Sequence, residues 1–270
     1  MADYLKYPVL FVHGMGFRDR KLFCYWGRTP KAFEARGCRV FFAGQNSSDT
    51  VETNAAVVAR RIDEIIALTG AEKVNIIAHS KGGLEARYAI SKLGKGKFVA
   101  SLTTLSTPHH GSKTVDLLRF VPDFLVRLCC KCCDIGFWVM GDKKPDTYGS
   151  ISIFRTAAAA EFNRQVMDDP AVYYQSYAFI MKRPTSDMLM CPHNIFVKLI
   201  EGDNDGLLPP ASVKWGNFRG VFTGNSNRGI SHCDEVDLRR FRLTKKQGDG
   251  ISDIVEFYLG IAEELKQMGF

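Results

Sequence analysis

The sequence predicts an α/β fold, a mostly parallel central sheet with helices on both faces, and three observations predict it. Apolar runs of strand length recur along the chain. Several are separated by stretches whose apolar residues repeat at helical spacing. The runs themselves are nearly continuous in apolar residues, the pattern of strands buried on both faces rather than one. A chain of 270 residues with 46% hydrophobic content buries a core of full size. No repeat, low-complexity tract or Ser/Pro-rich linker divides it, so a single domain over residues 1–270 is expected.

The elements follow in order. Strands are predicted at Val9 to Val12, Arg39 to Ala43, Val74 to Ala78, Ser101 to Leu105, Tyr177 to Ile180 and Ile195 to Ile200. Val51, Ala55, Val58, Ile62, Ile65 and Ile66 predict a helix with Asp49 or Ser48 as its N-cap. Ile254, Phe257, Tyr258, Ile261 and Leu265 predict another near the C-terminus. Between Val115 and Met140 the alternation breaks, because the segment is apolar nearly all round. Arg119, Asp123, Arg127, Lys131 and Asp134 interrupt it too often for a transmembrane span. It reads as helices packed on the core or as a cap, an insertion at about residues 113–150, with Phe120, Phe124, Phe137 and Trp138 toward substrate.

Composition excludes several classes. The opening MADYLKYPVLFVHG has no charged n-region followed by an apolar h-region, so no signal peptide is read and a cytoplasmic protein or a mature secreted form is expected. A net charge of +7 invites a nucleic-acid reading, and the basic stretch at residues 238–247 is its densest part. No aromatic-basic interleaving accompanies it, so a solvated face is expected and no nucleic-acid partner. Of the eight cysteines, four crowd into CCKCC at 129–133, too close together to converge on one tetrahedral zinc. Reduced thiols are expected there. Cys191 and Cys233 are candidates for pairing in an oxidising compartment, and Cys24 and Cys38 read as small core residues.

The chemistry centres on VNIIAHSKGGLEARYAI, residues 74–90, where a strand runs into a helix through one serine. This is the pattern of a nucleophile elbow, a turn that lifts the hydroxyl above the sheet edge and demands small neighbours, here Ala78 and Gly82. The first position is Ala, so strict G-x-S-x-G is not met, but the steric demand is. Ser80 needs a base, and the base needs a carboxylate to orient it. With the order serine, acid, histidine, the stretch IFVKLIEGDNDGLLPP supplies Asp205, with Asp203 as the alternative. His232 alone of the six histidines follows the acid; His13, His79, His109, His110 and His193 come too early. Backbone amides of Lys81, at the head of a helix, and Met15, in the loop after the first strand, are the expected oxyanion donors.

The blocks YPVLFVHGMGF, TGAEKVNIIAHSKGGLEARY, SLTTLSTPHHGS, NDGLLP and SHCDEV together resemble the bacterial triacylglycerol lipases of the Pseudomonas and Burkholderia type, within the α/β-hydrolase fold. The likeness is nearly unbroken from Tyr7 to Ser112 and returns around Asp205 and His232. It implies Ser80, Asp205 and His232 as triad, Met15 and Lys81 as oxyanion donors, and a lid in the apolar segment. It implies hydrolysis of acylglycerol or other fatty-acyl esters at a lipid–water interface, with no cofactor required for the chemistry; the alternatives are a thioesterase or phospholipase using the same triad, or a non-catalytic lipid-binding protein that keeps the fold. It also implies a structural calcium, with Asp187 and Asp234 as carboxylate ligands and the carbonyl of Leu238 as a third. The glutamine usual near position 238 is absent.

Overall fold

The computed structural model describes residues 3–16, 24–245 and 248–270. Strand β1 (Val9–Val12) is buried at every position. Val9 and Phe11 enter a core with Trp26, Phe33, Tyr258 and Leu265, whereas Leu10 and Val12 enter a second core with Val58, Ile62, Ile76 and Ile90. Successive side chains of a strand point to opposite faces, so the continuous apolar run in the sequence is what a sheet sandwiched between two helical layers needs.

The other strands are β2 (Val40–Phe42), β3 (Val74–His79), β4 (Val99–Leu105), β5 (Tyr173–Phe179) and β6 (Asn217–Phe222). They pair in the order β2-β1-β3-β4-β5-β6, parallel throughout. The helices are α1 (Thr29–Ala35), α2 (Val51–Thr69), α3 (Lys81–Ser91), α4 (Lys113–Asp116), α5 (Asp123–Val139), α6 (Thr147–Ser152), α7 (Thr156–Gln165), α8 (Cys191–Glu201), α9 (Pro210–Val213) and α10 (Ile254–Gln267).

Two expectations need correction. The run Ile195 to Ile200 is not a strand but the body of α8, opened by Pro192 in its first turn. A short apolar run does not by itself separate strand from helix; here Val197 is buried while Ile195, Phe196 and Leu199 are exposed. The sixth strand is instead β6, an edge strand whose burial alternates, with Gly220 in its middle at φ +122°. The N-cap of α2 is Thr50, whose hydroxyl accepts the Thr53 amide at 3.3 Å. Asp49 accepts the Thr50 amide, and Ser48 pairs with Thr147.

The segment between β4 and β5 holds α4 to α7. Helix α5 buries only Val126 and Cys130, and Phe120, Phe124 and Trp138 are 71%, 68% and 64% exposed. The expected substrate-facing aromatics therefore face solvent, and Phe137 is half-buried. The far end of α5 is tied down by Asp142, whose carboxylate accepts the amides of Ser47 and Ser48 and the Ser47 hydroxyl. No described helix is long and apolar enough to cross a membrane. All eight cysteines are free thiols, including Cys191 and Cys233, and of CCKCC only Cys130 is buried. In the basic stretch, positions 246 and 247 lie outside the described residues.

Candidate active site

Ser80 stands between β3 and α3 with φ +54° and ψ −133°, a conformation that L-residues avoid and that costs about 1–3 kcal/mol. The fold holds it there. Its amide donates to the Leu105 carbonyl at 2.9 Å, and its carbonyl accepts from the Gly83 amide at 3.1 Å and the Thr107 hydroxyl at 2.8 Å. The small neighbours are explained by contact. A Cβ on Gly82 would lie 2.4 Å from the His13 carbonyl oxygen, and one on Gly14 would lie 2.7 Å from the Cβ of Ser80. The helix that follows Ser80 is thereby pressed against the end of β1.

Asp205 lies in the loop after α8, not at the end of a strand, and that loop is stitched to the end of β5 by the Met181 amide donating to the Asn204 carbonyl at 2.8 Å. The Asp205 side chain is fully buried. Its Oδ1 accepts the Leu207 and Leu208 amides at 2.8 and 2.7 Å, and its Oδ2 is 2.8 Å from His232 Nδ1. Burial alone would raise this carboxyl. The neighbouring His232 and the two amides outweigh burial and hold it below the usual carboxylate range. Asp203, the alternative acid, sits at the surface against Lys198 at 3.2 Å.

The imidazole of His232 packs on that of His79 with centroids 4.4 Å apart, which places it beside the turn that carries Ser80. Among the described residues no hydrogen bond joins Ser80 Oγ to His232 Nε2; in ligand-free sites such bonds are often long and tighten only with substrate. The Met15 amide has no hydrogen-bond partner among the described residues, and the Lys81 amide heads α3. The Lys81 side chain is buried and paired with Glu85. Glu85 also receives Gln45 at 3.1 Å and Asn54 at 2.8 Å, which ties α3 to α2 and to the loop after β2.

Behind the histidine lies a group that sequence reasoning missed. Glu235 is fully buried, with Oε2 3.1 Å from His79 Nε2, while His79 Nδ1 is 2.7 Å from the Tyr25 hydroxyl. Burial, then the nearby Asp205 charge, pushes the Glu235 carboxyl well above its usual range. Burial and the proximity of His232 push His79 well below its own. Both shifts favour the uncharged forms of Glu235 and His79. Glu235 stands one helical turn after His232, a spacing visible in SHCDEV that only a conformational assignment to that segment would have made meaningful. His79, His232 and Glu235 are also spaced as metal donors, with His79 Nε2, Glu235 Oε2 and His232 Nδ1 engaged in these hydrogen bonds. Of the remaining histidines, His13 bonds the Gly14 and Gln45 carbonyls, His109 bonds Thr104, His110 bonds the Lys214 carbonyl, and His193 is exposed on α8.

The loop bearing His232 is clamped on one side by Arg28. Its guanidinium contacts Asp237 at 2.7 Å and Asp253 at 2.9 Å, and its backbone amide also donates to Asp237. On the other side stand Asp187 and Asp234, the expected calcium ligands. Between them lies a cation of the chain itself, with Arg239 Nε 2.8 Å from Asp234 Oδ1 and Nη2 3.6 Å from Asp187 Oδ2. A guanidinium stands where an ion would sit, so these residues, with the Leu238 carbonyl next to Arg239, do not fit calcium.

The sequence model of a family described as palmitoyl protein thioesterase matches residues 8–185. "Triacylglycerol lipase 2" of Saccharomyces cerevisiae is 28% identical over 91% of this chain and 74% of its own length. The triacylglycerol lipase of Burkholderia plantarii is 36% identical over 43% of this chain and 33% of its own, so the chain matches only about a third of that relative. Among solved structures, the mature Bacillus licheniformis lipase BlEst2 superposes with a TM-score of 0.71 at 18% identity, covering 98% of this chain and 94% of that one. The fold is that of the α/β-hydrolases, and the similarity to bacterial triacylglycerol lipases read from the sequence blocks is found again here.

Proposed function

The chain belongs to the palmitoyl protein thioesterase family, and from that premise we propose that it is a serine hydrolase that cleaves fatty-acyl esters, a lipase or carboxylesterase acting on acylglycerols. One observation carries the reading: the His232–Asp205 pair, 2.8 Å long, packs on the residue preceding a serine held in a strained, positive-φ turn. His232 takes the proton of Ser80 as the hydroxyl attacks the acyl carbonyl. Asp205 holds the imidazole in one tautomer and stabilises its charged form. The amides of Met15 and Lys81 receive the oxyanion. The leaving alcohol takes the proton back from His232, and a water activated by the same imidazole then releases the acid from Ser80.

The acyl preference rests on the apolar segment at about residues 113–150, which we read as a lid working at a lipid–water interface. Each methylene buried from an acyl chain contributes about 0.8 kcal/mol. A second reading, thioester cleavage with the same residues, is favoured by the description of the matching family. Labelling by a fluorophosphonate tests the chemistry: labelling is expected in the wild type and lost in Ser80→Ala and His232→Ala. Turnover of nitrophenyl esters should fall by several orders of magnitude in Ser80→Ala. Near-normal turnover in that variant would refute the assignment. Parallel assays on O-acyl and S-acyl substrates of one chain length separate the two readings.

A further inference from the structure

The loop that carries His232 is braced by charges that the acyl-transfer chemistry does not use. Ser231 donates its hydroxyl to Asp187 Oδ2 at 2.6 Å and accepts the Asp234 amide at 3.1 Å, while Asp234 Oδ2 accepts the Ser231 amide at 3.2 Å. Asp187 Oδ1 is occupied by the Leu189 and Met190 amides. What is left over is Asp234 Oδ1, a buried oxygen with no hydrogen-bond donor among the described residues. Two carboxylates held this way, on either side of one hydroxyl, repel each other, and a positive group between them offsets that repulsion.

That partner is Arg239. Its Nε is 2.8 Å from the orphaned Asp234 Oδ1, its Nη2 is 3.6 Å from Asp187 Oδ2, and Nη2 also donates to the Ser186 carbonyl at 2.8 Å. Arg228 donates to the same carbonyl. A cavity of about 530 Å³ opens beside this cluster, and Arg183, Arg228 and Arg239 line it against the single carboxylate of Asp187. Three guanidinium groups repel a divalent cation approaching from that side. The planar fork of arginine also reaches several fixed oxygens at once, whereas calcium asks for six to eight oxygens.

We propose that Arg239 is the resident cation of this site: a guanidinium built into the chain braces the His232 loop in the place where the lipase resemblance implies calcium, and the protein binds no calcium there. Arg239 is then a positioning residue, acting on the base through Asp234 and Ser231. The kinetic part of this inference rests on the reading of His232 as base. The binding and melting parts do not, so they stand even if that reading fails.

The test uses the full chain stripped with EGTA. Calorimetric titration of the wild type with calcium chloride should give no binding heat, and its melting midpoint should be the same in EGTA and in millimolar calcium, within about 1 °C. Arg239→Gln removes the one cation that contacts both carboxylates among the described residues. It should lower the melting midpoint, reduce kcat/KM by about ten- to a hundredfold, as removal of an outer supporting group commonly does, and regain both on addition of calcium. Should the variant fail to fold in EGTA, its refolding in calcium is the same test. Calcium binding by the wild type, a wild-type melting midpoint lowered by EGTA, or a loss in Arg239→Gln that calcium does not repair would each overturn the proposal. So would an Arg239→Gln protein indistinguishable from the wild type.

Discussion

Replacing Gly82 by Ala adds one methyl group where helix α3 meets the end of β1. The new Cβ would sit 2.4 Å from the His13 carbonyl oxygen and 2.5 Å from that of Val12, distances real Cβ atoms do not show, since they stay beyond 3.0 Å. Both obstructing atoms are backbone in the sheet, so no side chain can swing aside. The start of α3 must retreat by at least about 0.6 Å, and interiors packed at crystal density resist such a shift. Overpacking of this kind costs about 1–3 kcal/mol. The retreat carries the Ser80 hydroxyl and the Lys81 amide away from His232 and Met15, which stay with other elements. Misplacement approaching 1 Å costs about a hundredfold in rate, so kcat should fall about ten- to a hundredfold. Gly260→Ala is the control. That glycine lies inside α10 with nothing within 4 Å of an added Cβ, and its replacement should raise stability by about 0.5–1 kcal/mol without touching the rate. Urea unfolding and nitrophenyl-ester turnover on the two variants measure both effects. A Gly82→Ala protein as stable and as fast as the wild type would refute the packing account of the elbow.

Other outcomes follow from the same structure. His79 and His109 are buried and pushed well below the usual imidazole value of 6.5, mainly by burial, so both stay neutral in the folded chain. Their contribution to stability is complete above pH 6.5 and is lost as the pH falls below it toward the folded values, because the unfolded chain takes up the protons first. Each proton contributes a slope of about 1.4 kcal/mol per pH unit. The buried Glu235 and Asp234 carboxyls, pushed up, pull the other way over the same range, so the histidine contribution is read as a difference: on going from pH 6.5 to 5 the wild type should lose more unfolding free energy than His109→Gln, and parallel profiles would sink this account. Lys81→Ala leaves Glu85 buried with only Gln45 and Asn54 as donors. It should lower stability by about 3 kcal/mol, the low end for breaking a buried pair, readable as a shift in the urea midpoint.

Where burial was two-sided, the sequence was legible. Val9–Val12 and Val74–His79 read as strands because every position feeds one core or the other, and Ser80 stood out because glycine follows it where a larger residue would collide with β1. Illegibility began at the edges. The strand Asn217–Phe222 buries little and carries a glycine, so it has no apolar signature, while the apolar face of α8 mimicked a strand although most of it is exposed. The acid survived this error because Asp205 is placed by the loop that follows α8, whatever precedes it. Glu235, Lys81 and Arg239 were invisible for a different reason. Lys81 stands four residues before Glu85, an ordinary helical spacing to which only burial gives weight, while Glu235 and Arg239 take their roles from partners far away in the chain, His79 and Asp187. Even the arginine that fills the expected metal position is adjacent to Leu238 in the sequence, yet only the placement of Asp187 gives it meaning.

The clamp of Arg28 on Asp237 and Asp253 has a consequence in time. It spans more than two hundred residues, joining the segment just before α1 to the loop after His232 and to the cap of α10. A ribosome therefore delivers the serine turn long before the base, and the base loop is locked only when the last helix has emerged. Until then Ser80, even with β1 to β4 paired, has no fixed base, so assembly of the site depends on the docking of α10 as well as on the serine turn.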